Sequence, residues 1–362
     1  MSMHVNGASS PMGSSLPPPL RTAPDMSSQW SEVSMDFDTA AERIVQAHAK
    51  DGEHRDLPLT SLSTWAVAPH EGKFALVPLA RHHSPKPLRA AAFSNLMTRL
   101  GAPADFIRKL PAPLQLATVN YLLAENDEGS AATLRLRDNE VSAIVSGRYA
   151  PLDAVELVET IRDGLRRFGI LNDVRVRSVA SGLVDNLRLV LPNDEAPVKP
   201  GDTSAIGIDI TSSSFARSAV HVSPVVWRLV CSNGLKRAER GAGLSFRHVG
   251  DTQRLRDGVA EAIPSALVQA RGVMDRWRRS VNFMVEDVQQ QIEAMRELSV
   301  PEKKNLELAL AHETERPELP ARVPVYDFVN AMTASAKSGS PSRRLEIETL
   351  AGDVLTRHVG SA

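Results

Sequence analysis

The feature that most constrains the fold is a change of hydrophobic period along the chain. Leu88, Ala92, Leu96 and Leu100 recur at helical spacing, and Ala112 to Glu125 reads as a further helix. From Leu134 the spacing becomes two. Leu134 and Leu136 alternate with Arg135 and Arg137, the turn is Asp138-Asn139-Glu140, and Val141, Ala143 and Val145 alternate again. Successive strand side chains point to opposite faces, so the pattern specifies a hairpin with one apolar face. Asp153 is placed to cap a helix reaching about Phe168. Strands are expected at Val174 to Val179, Leu187 to Leu191, Ala205 to Ile210 and Ala216 to Val230. A Pro-rich linker spans Pro192 to Pro200, and Pro224 interrupts the last strand.

Either side of this block the chain is largely helical. Phe37 to Ala49 reads as a short helix, with strand-like pieces at Trp65 to Ala68 and Phe74 to Val77 and a loop from Arg81 to Pro87. Later helices are expected at about Gln253 to Leu298, Glu302 to His312, Val325 to Ala336 and Leu345 to Arg357. The resulting fold class is α+β, a central antiparallel sheet with hairpins flanked by helices and a helical C-terminal part. Three parts follow: a disordered tail over 1–35, an α+β core domain over 36–250, and a helical region over 251–362 packed on or extending the core. Within that region Leu267, Ala270, Met274, Trp277, Val281, Met284, Val288, Ile292 and Met295 recur at threes and fours. Such a stripe packs a long helix on its own domain or forms a subunit interface, and the second use implies a homo-oligomer.

Composition removes several function classes. Aromatic residues make up 4% of the chain, so a base-stacking surface is small, and a net charge of -1 excludes a globally basic coat. One cysteine, Cys231 in an apolar run, excludes disulfide frameworks and zinc ribbons and reads as a buried thiol. No apolar run approaches the ~20 residues that cross a bilayer. The Ser-, Pro- and Gly-rich N-terminus lacks the apolar segment of a secretory signal, so a cytoplasmic protein is expected. No nucleophile elbow or phosphate-binding loop occurs. Gly234 to Gly243 lacks the Gly-Lys-Ser/Thr ending, and His70-Glu71 and His312-Glu313 each lack a second histidine four residues on. His82-His83 reads as an exposed loop pair. A metal enzyme built from dispersed residues such as Asp209, His221 and His248 has no support from spacing. The expectation is therefore no enzyme and no cofactor.

The basic residues carry more information. From Arg217 to Arg279 there are twelve Lys and Arg against five Asp and Glu. Arg228, Lys236, Arg237, Arg240, Arg247 and His248 fall within one strand-loop-strand stretch, a pattern suited to phosphate contacts. Arg135, Arg137, Arg148 and Tyr149 could extend the groove, with Tyr149 and Trp227 either stacking on bases or supporting it. Asn233-Gly234 is a turn dipeptide whose amide could also bind a backbone or base edge.

Arg148-Tyr-Ala-Pro-Leu-Asp153, Arg228-Leu-Val-Cys-Ser-Asn-Gly-Leu235 and Arg247-His248 together resemble the phage and plasmid-like proteins grouped as domain of unknown function nine-three-two. Leu96 to Leu110, Asn330-Ala-Met-Thr333 and Glu348-Thr-Leu-Ala-Gly352 add to the resemblance, which runs from about Leu57 to Val354. It implies a mobile-element setting, hence DNA replication, recombination or conflict with host defences. A strand-hairpin-helix core with a basic groove is also similar to the Rad-type single-strand annealing proteins. The expected function is a cofactor-independent protein that binds single-stranded DNA and promotes annealing. The alternative is a protein-interaction module whose basic loop docks an acidic partner.

Overall fold

The structure is a computed structural model that describes residues 32–80, 84–126, 131–200, 202–229, 234–236 and 243–360. Strand β1 (Met35–Asp36) leads into α1 (Phe37–Lys50), whose start is fixed by the Asp36 carboxylate accepting from the Thr39 N–H at 2.7 Å. Next come β2 (His54–Leu59), the hairpin β3 (Trp65–His70) and β4 (Lys73–Pro78), and β5 (Lys86–Pro87). Helices α2 (Ala90–Arg99), α3 (Ala104–Ile107) and α4 (Ala112–Ala124) follow. The period-two segment forms the expected hairpin of β6 (Ala132–Arg137) and β7 (Glu140–Ser146). Its turn residues Asp138 and Asn139 both take left-handed backbone angles, φ 45° and 65°, which match the right-handed twist of the paired strands. Sheet β2-β6-β7 buries Leu134, Leu136 and Val141 against Leu96, Met97, Val119 and Leu123 in one apolar core.

A second, larger core begins at α5 (Ala154–Arg167), where the Asp153 N–H donates to the Glu156 carboxylate at 2.9 Å. The strands β8 (Arg175–Ala180), β9 (Asp185–Lys199), β10 (Asp202–Ser212), β11 (Val220–Arg228), β12 (Gly234–Lys236) and β13 (Leu244–Phe246) build an antiparallel sheet in the order β1-β8-β9-β10-β11-β12, with β13 also on β11. Ile206, Ile208 and Ile210 of the central strand β10 face this core. The expected linker over 192–200 is instead the second half of β9, paired with β10 from Glu195 to Lys199. β8 pairs only with residues 186–190, so this half lies on an edge and Pro197 need not donate to a second neighbour. Pro224 does not end β11 either. It pairs with Ile208, while the strand on the other side breaks between Lys236, opposite Val225, and Leu244, opposite Val222.

The expected helix over 253–298 is divided. α6 (Thr252–Arg279) ends where the Ser280 hydroxyl bonds back to the Trp277 carbonyl. Short strand β14 (Met284–Val285) and helix α7 (Val288–Ala294), capped by Asp287, come next. Helices α8 (Val300–Glu313), α9 (Val325–Ser335) and α10 (Pro341–Val359) complete the chain, with β15 (Val323–Pro324) paired to β14. Ala270, Met274, Trp277, Val288, Ile292 and Met295 of the apolar stripe are all buried in the protein's own larger core. These residues of the stripe are therefore taken up within one chain. The helical region after residue 250 packs on the core, with α6 against β10, β11 and α5. No helix among the described residues is long and apolar enough to cross a membrane.

Candidate functional site

Two residues apart on β6, Arg135 and Arg137 point to the face opposite Leu134 and Leu136, toward the junction of the two cores. Arg135 is buried and engaged there. It donates to Asp153 (2.7 Å), to Asp56 (3.1 Å) and to the Ser214 carbonyl (2.6 Å). Burial opposes its charge, but the two carboxylates more than offset this and hold its pKa above the ordinary value. Burial likewise raises Asp153, yet the Arg135 bond and the surrounding cations leave its pKa below the usual range. Tyr149 stacks on His248 with ring centroids 5.2 Å apart and also lies 5.4 Å from the Arg135 guanidinium. Burial pushes its phenol up to about 12. His248 is buried, with Nδ1 3.1 Å from the Ala150 carbonyl. These contacts tie Tyr149 and His248 into the junction.

At the other end of this hub lie His48 and His54, centroids 3.6 Å apart, with His54 Nδ1 3.6 Å from the Asp153 carboxylate. Burial, then the charge of Arg137, lowers the His54 pKa to about 4, and burial lowers that of His48. Both rings are neutral at pH 7. Donor atoms of His48, His54 and Asp153 lie within 4.8 Å of one another, the one such group among the described residues. The electrostatics do not suit a cation. Arg135 already bonds one oxygen of the Asp153 carboxylate, and Arg137 Nη1 stands 3.5 Å from His48 Nε2. Asp209, His221 and His248 are not brought to metal spacing.

Arg137 itself is 3% exposed and lines a cleft of about 540 Å³ beside the hub. The end of α1 (His48, Lys50, Asp51), the start of α2 (Arg89 to Ala91), the turn before β9 (Ser181 to Leu183) and the Ser214-Phe215 loop form its walls. In contrast to Arg135, Arg137 is poorly matched. Its closest polar partners among the described residues, Asp51 and His48, stand at 3.5 Å, and Phe215 lies 5.1 Å from the guanidinium. Burial outweighs the nearby carboxylates and brings its pKa down to about 10.

The remaining expected site residues divide. Arg228 belongs to a separate buried network, donating to Asp202 (2.7 Å) and Glu313 (3.1 Å), with Asp202 also accepting from Tyr326. Its guanidinium is thus engaged by two carboxylates, with only a small part of the side chain exposed. Trp227 is fully buried, its indole N–H donating to the Leu189 carbonyl at 2.7 Å over Gly207, where a Cβ would meet the ring. Arg148 and Arg247 are exposed, on the two segments that Tyr149 and Val249 join. Tyr149 bridges Val249, and the Gly250 N–H donates to the Arg148 carbonyl at 2.8 Å. Asn233, Arg237 and Arg240, as well as Cys231 and the His82-His83 pair, lie outside the described residues. Lys236 is placed only by its backbone on β12. Sequence reasoning missed His48, His54, Asp51 and Asp56, which lie about a hundred residues from Asp153 and carry no local spacing signal.

No curated protein and no solved structure matches the chain at a significant level. A family model does match, over residues 141–353, which covers Tyr149, Asp153, Arg228 and His248 but not the β2 to α4 segment included in the wider resemblance. With more than half of its length matched, the chain belongs to the family described as Domain of unknown function (DUF932).

Proposed function

We propose that this protein is a cofactor-independent DNA-binding protein of mobile-element type, which holds single-stranded DNA and promotes annealing as the Rad-type proteins do. The observation that carries this reading is that Arg148 and Arg247 are both exposed on the two segments joined by the antiparallel Tyr149-Val249 bridge, which pairs Arg148 with Gly250 and leaves Arg247 at its other end. Exposed guanidinium groups without a carboxylate partner are free to neutralise phosphates and release counterions. Arg217, on the loop between β10 and β11, is exposed as well. Lys236 leads into Arg237 and Arg240, which extend the basic run in sequence. Arg135, Arg137 and Arg228 serve the fold or the cleft and contact no strand.

The test is fluorescence anisotropy with labelled single- and double-stranded oligonucleotides across a salt series. Replacing Arg148 and Arg247 by Ala together should weaken single-strand binding and reduce the slope of log K against log salt by about 1.4, from about 0.7 per lost phosphate contact. Replacing Arg237 and Arg240 should act similarly. Flat titrations at low salt would sink the reading.

One feature favours the alternative of a protein-interaction module. β13 pairs with β11 on one side, and no strand among the described residues pairs with its other side. An extended segment of a partner could add there as a further strand. Binding that ignores oligonucleotide length, or competes with an added peptide strand, would shift the choice to that reading.

A further inference from the structure

The β6-β7 ladder has one irregularity. Arg135 pairs with Ala143 and Leu136 with Val141, so Ser142 is an extra residue without a partner across the hairpin. A bulge of this kind re-aims a side chain. Here it buries Ser142, 1% exposed, in the wall of the Arg137 cleft, where the hydroxyl oxygen has no hydrogen-bond partner among the described residues. On the loop after β10, Ser214 also lines the cleft, 3% exposed, and its hydroxyl is equally without a partner among the described residues. Buried hydroxyls are rarely left unbonded, so two on one cleft point to a ligand that supplies the missing bonds.

The facing wall specifies the ligand's charge. Ala90 and Ala91 open the ten-residue helix α2, whose N-cap, Arg89, makes no side-chain capping bond. The first N–H groups of a helix have no partner within it and favour an anion. Docking of the Arg89 N–H on the Val141 carbonyl at 2.9 Å sets this helix start beside the bulge. Arg137 and the exposed Lys50 add positive charge. The two carboxylates of the cleft are engaged: Asp51 accepts from Arg89 at 3.0 Å and Asp185 from Ser181 at 2.7 Å.

We propose that this cleft is a phosphate-binding site, with Arg137, Lys50, the Ser142 and Ser214 hydroxyls and the first turn of α2 as its contacts. Its volume falls in the range of about 300–1,000 Å³ that accommodates small ligands of nucleotide size. The phosphate belongs either to a free nucleotide or to the 5′ end of a strand. The site stands apart from the Arg148-Arg247 rim and does not depend on strand binding there.

Thermal shift and calorimetry on the full chain test the proposal. Probes are inorganic phosphate, a nucleoside 5′-monophosphate, and oligonucleotides with a 5′-phosphate or a 5′-hydroxyl, at matched ionic strength in chloride. The wild type should be stabilised by phosphate. Lys50→Glu, a surface change, should weaken the phosphate Kd about tenfold, the scale of one lost charge-assisted bond. Ser142→Ala with Ser214→Ala should weaken it similarly while leaving the ligand-free melting temperature unchanged or higher. Preference for the monophosphate identifies a free nucleotide, and preference for the 5′-phosphorylated strand identifies a strand end. Absence of stabilisation by every phosphate probe, or the same stabilisation in all variants, overturns the site, whatever the rim variants do to strand binding.

Discussion

Arg228 and Arg137 are both guanidinium groups held inside the molecule at the ends of strands, yet their surroundings differ in kind. Arg228 meets Asp202 and Glu313 at hydrogen-bond distance, and Tyr326 bonds the same aspartate. Its pKa is raised, because these carboxylates and their bonds outweigh the burial that opposes its charge. Arg137 is more buried, has no polar partner closer than 3.5 Å among the described residues, and its pKa is lowered. A buried cation is tolerable when matched charges surround it. The first arginine meets that condition within the fold and works as architecture. The second meets it incompletely and faces a cleft, which is the arrangement expected where an external anion completes the set.

Substitutions can break this contrast. The largest loss is expected for Asp202→Ala, which strands the Arg228 charge. Denaturant unfolding should show a cost of about 3 kcal/mol, the lower end for a broken buried pair because Arg228 keeps some solvent contact. Arg135→Met should cost about 2 kcal/mol in the same measurement, since it leaves Asp153 buried without its main partner. Arg137→Met should be milder, about 1 kcal/mol or less, while abolishing the response to phosphate; a loss as large as that of Asp202→Ala would erase the distinction. The smallest effect concerns pH. The folded pKa of His54, about 4, lies below the ordinary 6.5, so the unfolded chain binds more protons between these values. Stability is therefore full above pH 6.5 and falls as the pH drops toward 4. The loss is on the order of 1 kcal/mol once solvent screening of the half-open ring is allowed for. His54→Gln should flatten that slope in melts run from pH 7 to pH 4.

Local chemistry made much of the fold readable. Asp153 with Glu156 and Ser299 with Glu302 mark helix starts by their own hydrogen bonds, and Asp138-Asn139 adopts the backbone angles that a two-residue hairpin turn requires. Errors arose where a distant partner decided the outcome. Pro192 and Pro197 read as a linker, but Pro192 falls in the irregularity between the Val190 and Glu195 pairs, and the edge of β9 tolerates Pro197 with β10 on its other side. The helical period continues past Arg279, yet Phe283 and Val285 are drawn into backbone bonds with Val325 and Val323. The site suffered most. Arg135, Arg137, Tyr149 and His248 were legible as polar residues beside apolar strands, whereas the carboxylates that neutralise Arg135 and Arg228 come from other elements. Charge counting along a sequence registers an arginine and its distant aspartate separately, and so overstates the basic surface.

The two apolar cores are not consecutive along the chain. Phe37 to Ile44 belong with residues from Ala150 onward, and the smaller core, from Leu59 to Ile144, is inserted between them. Order of synthesis then matters. When α1 leaves the ribosome, the Leu157, Val158 and Ile161 side of α5 that helps bury it does not yet exist, and the inserted unit, made next, can pair its own strands first. The first helix must wait about a hundred residues with its apolar side uncovered, and its docking on α5 brings His48 and His54 together with Asp153. Completion of the hub thus reports that the chain on either side of the inserted unit has been brought together.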